Sequence, residues 1–333
     1  MLRISTLVLA MTASVGHADL ADTILDDIVL PGFDQLATSG QALDAAAQAD
    51  CRAESESLRT AFGEALDAWT AVSHFRFGPT EVENRGFALA FWPDSRGKTP
   101  RALNGLIASQ DPVAQTAESF ATVSIAGRGL YAMEFLLYDA AISTAGSVEY
   151  HCALTQAVAA DISVTAQELA ADWHRRYAEL MRNPIDGGVY QSEAEVAQEF
   201  FKALNTGLQI TADMRLGRPL GTYDAPRPKR AEAWRSGRSL HNVALSLEAL
   251  ERLAMQLAKA EPEVAGQLGS RFDIALAEAK GLHDPRFAGV SDPSGRFRVE
   301  VLQRTVNDIR AVSMGALGPM LGVSGGFNSL DGD

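Results

Sequence analysis

Glu134 is the residue most in need of a chemical explanation, because it is a lone carboxylate in the apolar run Gly129-Leu130-Tyr131-Ala132-Met133-Glu134-Phe135-Leu136-Leu137-Tyr138. Read as a helix, this run has Leu130, Met133, Phe135, Leu136 and Leu137 around most of its circumference, and such a helix is buried. A bare ionised carboxylate in that setting would cost several kcal/mol or take up a proton. Glu134 therefore needs a cation, several hydrogen-bond donors or a metal as partner. Tyr131 lies one turn earlier on the same helical face, so a phenol and a carboxylate project together. Such oxygen donors suit a hard cation. A neutral phenol, with a reference pKa of about 10, is a poor ligand for zinc.

Other side chains can complete a site around this pair. Arg235 and Arg238 are three residues apart ahead of a helix and, with Ser239, can grip an anion or neutralise buried acids. Trp92 and Asp94, in the turn-rich stretch Phe91-Trp92-Pro93-Asp94-Ser95-Arg96-Gly97, can line the same cleft or simply anchor their loop. Arg76, Arg235 and Arg238 are the cations that could pair with Glu134 if its role is structural. His74, His151, His174, His241 and His283 are scattered without a metal-ligand spacing. There is no His-Glu-x-x-His, and no Gly-x-Ser-x-Gly to support a serine hydrolase.

The elements that position these groups must come from a chain of 333 residues, 47% of them hydrophobic, enough for one large or two medium cores. The first eighteen residues carry one Arg, then Leu7-Val8-Leu9-Ala10-Met11, and end in Gly16-His17-Ala18. This is the pattern of a cleavable secretory leader. No Cys follows to take a lipid, and the apolar run is too short to span a bilayer, so an exported, periplasmic chain without a transmembrane segment is expected. The net charge of −13 disfavours nucleic acid as a partner. In an oxidising compartment Cys51 and Cys152 form one disulfide, two inert buried thiols being the alternative.

Helical periodicity runs from about Asp22 to Ala49, with a kink expected at Pro31-Gly32, and from Glu54 to Phe77. A long loop, Thr80 to Lys98, precedes short helices beginning near Thr99-Pro100 and Asp111-Pro112. Further helices are expected over Val148–Met181, Glu193–Leu216, Ser239–Ala260, Glu263–Leu282 and Phe297–Leu321. Gly217–Lys229 reads as a connector, and Gly322–Asp333 as a glycine-rich, acidic tail. The fold class is all-α: two helical-bundle domains with long functional loops, residues 19–185 carrying the Gly129–Glu134 motif and residues 186–333 forming the second bundle.

Several motifs together resemble the imelysin family, also called insulin-cleaving metalloproteinase-like or iron-regulated protein A-like. They are Leu30-Pro31-Gly32-Phe33, Arg76-Phe77-Gly78-Pro79, Phe91-Trp92-Pro93-Asp94, Gly129 to Leu137, Trp234-Arg235-Ser236-Gly237-Arg238-Ser239-Leu240 and Gly326-Phe327-Asn328-Ser329-Leu330-Asp331-Gly332-Asp333. The resemblance implies two helical bundles, a site at their interface and a role in bacterial iron uptake. The family's motif is Gly-x-His-x-x-Glu; Gly129 and Glu134 match it, while Tyr131 stands where His is expected. The expected ligand is a metal ion, an iron complex or another anion, with Tyr131 and Glu134 as candidate metal donors toward iron or another divalent or trivalent cation. Arg76, Trp92, Asp94, Arg235, Arg238 and Ser239 are the other candidate site residues. An outer-membrane or periplasmic uptake protein is the expected macromolecular partner. The alternatives are a metallopeptidase with Glu134 as its base or ligand, and a non-catalytic periplasmic scaffold.

Overall fold

The structure is a computed structural model and describes residues 17–323. The expected leader lies almost wholly outside the described residues, as does most of the glycine-rich tail. After a first helix, His17–Ile24, come nine principal helices: α1 (Leu30–Ala49), α2 (Glu56–Val72), α3 (Lys98–Ser109), α4 (Gly129–Tyr138), α5 (Val148–Asp172), α6 (Glu193–Gln209), α7 (Ser239–Leu257), α8 (Pro262–Leu282) and α9 (Pro293–Val312). Among the described residues the only β pairing is an isolated bridge between Thr222 and Ala225. The fold is all-α, and no described helix is long and apolar enough to cross a membrane.

Local chemistry explains most helix starts. Ser55, Ser147 and Ser192 accept the backbone N–H groups of Leu58, Tyr150 and Glu195, and Asp292 accepts those of Ser294 and Gly295, capping α2, α5, α6 and α9. The helices then bury their apolar faces in two associations. In one, α1 lies along α5 and α2, and α4 packs on α5; in the other, α8 lies between α7 and α9, and α6 packs on α7. Contacts of α2 with α7 join the two, and an aromatic cluster crosses between them. Phe33 stacks on Trp173 at 5.4 Å, and Phe75 meets Phe33 at 6.5 Å and Phe200 of α6 at 6.4 Å. Cys51 and Cys152 are joined in a disulfide between the end of α1 and the first turn of α5.

The long helical patterns are less regular than their periodicity suggests. π-helical turns occupy Leu25–Val29, Trp173–Tyr177, Ile210–Leu216 and Ser313–Leu317. They interrupt four of the stretches that read as continuous helices. The irregularity expected at Pro31-Gly32 is placed just before it: Pro31 has no N–H to donate, and the preceding turn widens so that Leu30 N bonds Leu25 O. Helix α3 begins at Lys98, with Gly97 as its N-cap residue in the left-handed region. Ser239 is the first residue of α7, and Arg238 is the N-cap residue, without a side-chain bond. The stretch Thr80 to Lys98 is only partly loop, since Arg85–Leu89 is helical.

Candidate functional site

Helix α4 begins where only glycine fits. Gly129 has φ +74°, and a Cβ there would lie 2.3 Å from Ala88 O and 2.4 Å from Leu89 O. That close approach seats α4 in the core and fixes the rotation at which Tyr131 and Glu134 leave the helix. Both are buried, Glu134 at 3% exposure.

Glu134 is held by none of the three arginines that could have paired with it. Its Oε1 accepts from Ser236 N at 2.9 Å and Ser236 Oγ at 2.8 Å, while Oε2 accepts no hydrogen bond among the described residues. Burial pushes the Glu134 carboxyl above its ordinary value, and the two Ser236 bonds oppose this only in part. The Ser236 turn is itself held tight: Ala233 is a non-glycine residue at φ 48°, and its carbonyl accepts from Ser236 Oγ at 3.0 Å and Arg238 N at 3.0 Å.

Tyr131 faces a carboxylate that sequence reasoning missed. Its hydroxyl donates to Glu232 Oε1 at 2.6 Å, and burial, reinforced by the Glu232 charge, raises the phenol well above its usual range. Glu232 Oε2 in turn accepts from Arg215 Nε at 2.7 Å and Asn242 Nδ2 at 3.1 Å. Burial acts to lower the Arg215 guanidinium, but the charge and hydrogen bond of Glu232 outweigh it and the net shift is upward. Arg215 Nη1 also donates to Ser246 Oγ at 3.1 Å. A signal for Arg215 was present in the sequence: it follows Leu204, Leu208 and Thr211 at steps of four, three and four, so a charge falls on the apolar stripe of its helix.

Above these groups lies a cleft of about 170 Å³ whose lining includes Tyr131, Glu134, Trp92, Asp94 and Arg235, together with Phe91, Phe135 and Trp234. The expected residues do not all serve it equally. Asp94 accepts from the N–H groups of Arg96, Lys98 and Thr99, at 2.8–3.2 Å, so its carboxylate caps α3; these bonds hold its pKa below the ordinary value against the upward push of burial. Arg235 donates to Asp139 at 2.8 Å and lies over the Phe135 ring at 3.6 Å. Three expected residues lie elsewhere. Arg76 pairs with Glu81 at 3.5 Å and covers Phe87, Arg238 is bonded to Asp67 beside His241, and Ser239 is 1% exposed.

The rim carries cations to which the sequence reading gave no role, two of them in the expected connector and one just after it. Arg218, Lys229 and Arg230 line the cleft, and none has an ion pair among the described residues. Arg218 sits 5.9 Å over the Trp92 ring and Lys229 5.6 Å over the Trp234 ring. Burial, and then the charge of Arg230, lower the Arg218 guanidinium. As metal donors the residues are sparse. No group of three or more His, Cys, Asp or Glu among the described residues could hold an ion. Tyr131 is a neutral donor to Glu232, and Glu232 is committed to Arg215, which leaves Glu134 Oε2 as a single oxygen facing a cationic rim. Among the described residues, then, the cleft brings one carboxylate oxygen together with three cations.

An all-α fold with a buried Gly129–Glu134 helix beneath a cleft lined from both halves of the chain defines the class of protein. Residues 29–312 match the family model described as Imelysin, and the chain belongs to that family. An imelysin-like protein from Psychrobacter arcticum 273-4 has the same fold, with a TM-score of 0.80 at 20% identity over 96% of this chain and 100% of that one. A protein from Parabacteroides distasonis ATCC 8503, assigned as an iron-regulated protein A precursor, gives 0.75 at 14% identity over 90% and 95%. No curated protein matches the chain in sequence.

Proposed function

We propose that this is a periplasmic, imelysin-type binding protein whose cleft takes a small anionic, oxygen-rich ligand, and that it handles iron in the form of such a complex. The observation that carries this reading is the rim of Arg218, Lys229 and Arg230, without ion pairs among the described residues, around the buried Glu134. Iron arriving with its own oxygen ligands needs at most one protein donor, which Glu134 Oε2 can supply, and the cations offset the charge of the complex. The leader-like first eighteen residues support export, and the structural similarity to a protein assigned as an iron-regulated protein A precursor supports the iron link. Docking to an uptake partner belongs to the same reading.

Titration of purified protein with citrate, ferric citrate and inorganic phosphate, read by the fluorescence of Trp92 and Trp234, tests it. At least one of these anions is expected to bind, about tenfold more weakly in Lys229→Ala/Arg230→Ala and more weakly as salt is raised. Salt-independent binding that the double variant leaves unchanged would remove the cationic rim from the site. Chelator-sensitive cleavage of an unfolded protein substrate, abolished in Glu134→Ala, would instead establish a metallopeptidase.

A further inference from the structure

The walls of the cleft specify more than charge. Phe91, Trp92, Tyr131, Phe135 and Trp234 are aromatic residues from three separate segments, and the indole and phenol rings of Trp92 and Tyr131 lie 6.4 Å apart, tilted by 34°. Aromatic walls favour a flat ring, which stacks on a π face or meets it edge-on. The size agrees: a cavity of about 150 Å³ takes benzene, so a cleft of about 170 Å³ holds one six-membered ring with its substituents reaching the mouth.

Polar groups at the two ends set what that ring must carry. At the floor, Glu134 Oε2 is an acceptor without a donor among the described residues, while Oε1 is fixed by Ser236. A ring hydroxyl supplies that donor. At the rim, Arg218 lies over the Trp92 ring and Lys229 over the Trp234 ring, which places cations beside the aromatic walls for a carboxylate on the ligand ring. We infer, resting on the reading of the cleft as an anion site, that its ligand is a single-ring aromatic carboxylate bearing a ring hydroxyl. An ortho-dihydroxylated member of this class is also an oxygen chelator of hard cations, which agrees with the iron reading.

Calorimetric titration of the full mature chain with 3,4-dihydroxybenzoate, benzoate, 3,4-dimethoxybenzoate and citrate decides the matter. Dihydroxybenzoate is expected to bind about tenfold more tightly than benzoate, the value of one hydrogen bond to a charged acceptor. The dimethoxy compound, which cannot donate, should lose that advantage. Glu134→Gln should narrow the gap between dihydroxybenzoate and benzoate, and Arg218→Ala should weaken both by about tenfold. The ligand-side comparison stands even if a variant fails to fold. Citrate binding without dihydroxybenzoate binding overturns this inference and leaves the anion reading intact. Equal affinity for the dihydroxy and dimethoxy compounds overturns it as well. Binding of none of the four, nor of ferric citrate or phosphate, overturns both.

Discussion

Two buried groups beneath the cleft behave in opposite ways. Glu232 joins Tyr131, Arg215 and Asn242, and its side chain and that of Arg215 are 4% and 5% exposed. Removing one member of a buried ion pair strands the other. Glu232→Ala is therefore expected to lower stability by about 3–5 kcal/mol, while Tyr131→Phe, which deletes one hydroxyl donor, costs about 1–2 kcal/mol; urea unfolding of the two variants measures both. His74 is also buried and feels the charge of Arg215. Burial, and after it the charges of Arg215 and Arg252, lowers the His74 imidazole from 6.5 to about 3, so it is neutral in the fold. Below pH 6.5 the unfolded chain takes up a proton that the folded chain refuses until about pH 3, and stability is lost as pH falls through that window. His74→Gln should flatten the slope of stability against pH between 6.5 and 3, measured by thermal unfolding across a buffer series. An unchanged slope would show that His74 is not the group responsible.

At the scale of the element, each functional group depends on an irregularity. Arg215 is held within the π-helical turn Ile210–Leu216, Ser236 within the turn strained at Ala233, and the Trp92 loop by Asp94 at the start of α3. The widened turn changes the register at which Arg215 leaves its helix, so regular helical spacing could not have predicted its partner. The Asp94 cap makes the cleft wall and the helix one unit. Asp94→Ala is expected to cost about 1 kcal/mol and also to weaken anion binding, although Asp94 contributes no attraction to an anion. Thermal unfolding beside a titration measures both effects. Lost stability with unaltered binding would mean that the loop holds its shape without its cap. Helix existence was legible from periodicity in α1, α2, α5, α6 and α7. Where those helices stop being regular was not, because a π turn keeps the same residue types and alters only the hydrogen-bond spacing.

For the whole molecule, the disulfide closes a loop of 101 residues, from the end of α1 to the start of α5. A cross-link over about 100 residues restricts the unfolded chain by roughly 4–5 kcal/mol. Cys51→Ser/Cys152→Ser, or reduction of the native protein, should lower stability by about that amount, read by chemical denaturation. A loss below about 1 kcal/mol would place the stabilising constraint elsewhere. The sequence by itself determined the helical class, the disulfide cysteines, the family motifs and the burial of Glu134. These follow from local periodicity, cysteine count and the cost of placing a charge in an apolar run, and none needs a third dimension. Only the tertiary structure decided which partners the charges take. It gave Glu134 to Ser236 rather than to an arginine, gave Tyr131 to Glu232, withdrew Arg76 and Arg238 to other carboxylates, and brought Arg218, Lys229 and Arg230, in and just after a plain connector, to the rim of the cleft. The partners of Glu134, Tyr131 and Arg238 are settled by distances between segments a hundred residues or more apart. Those distances are set by how the helices pack, which no local pattern in the chain encodes.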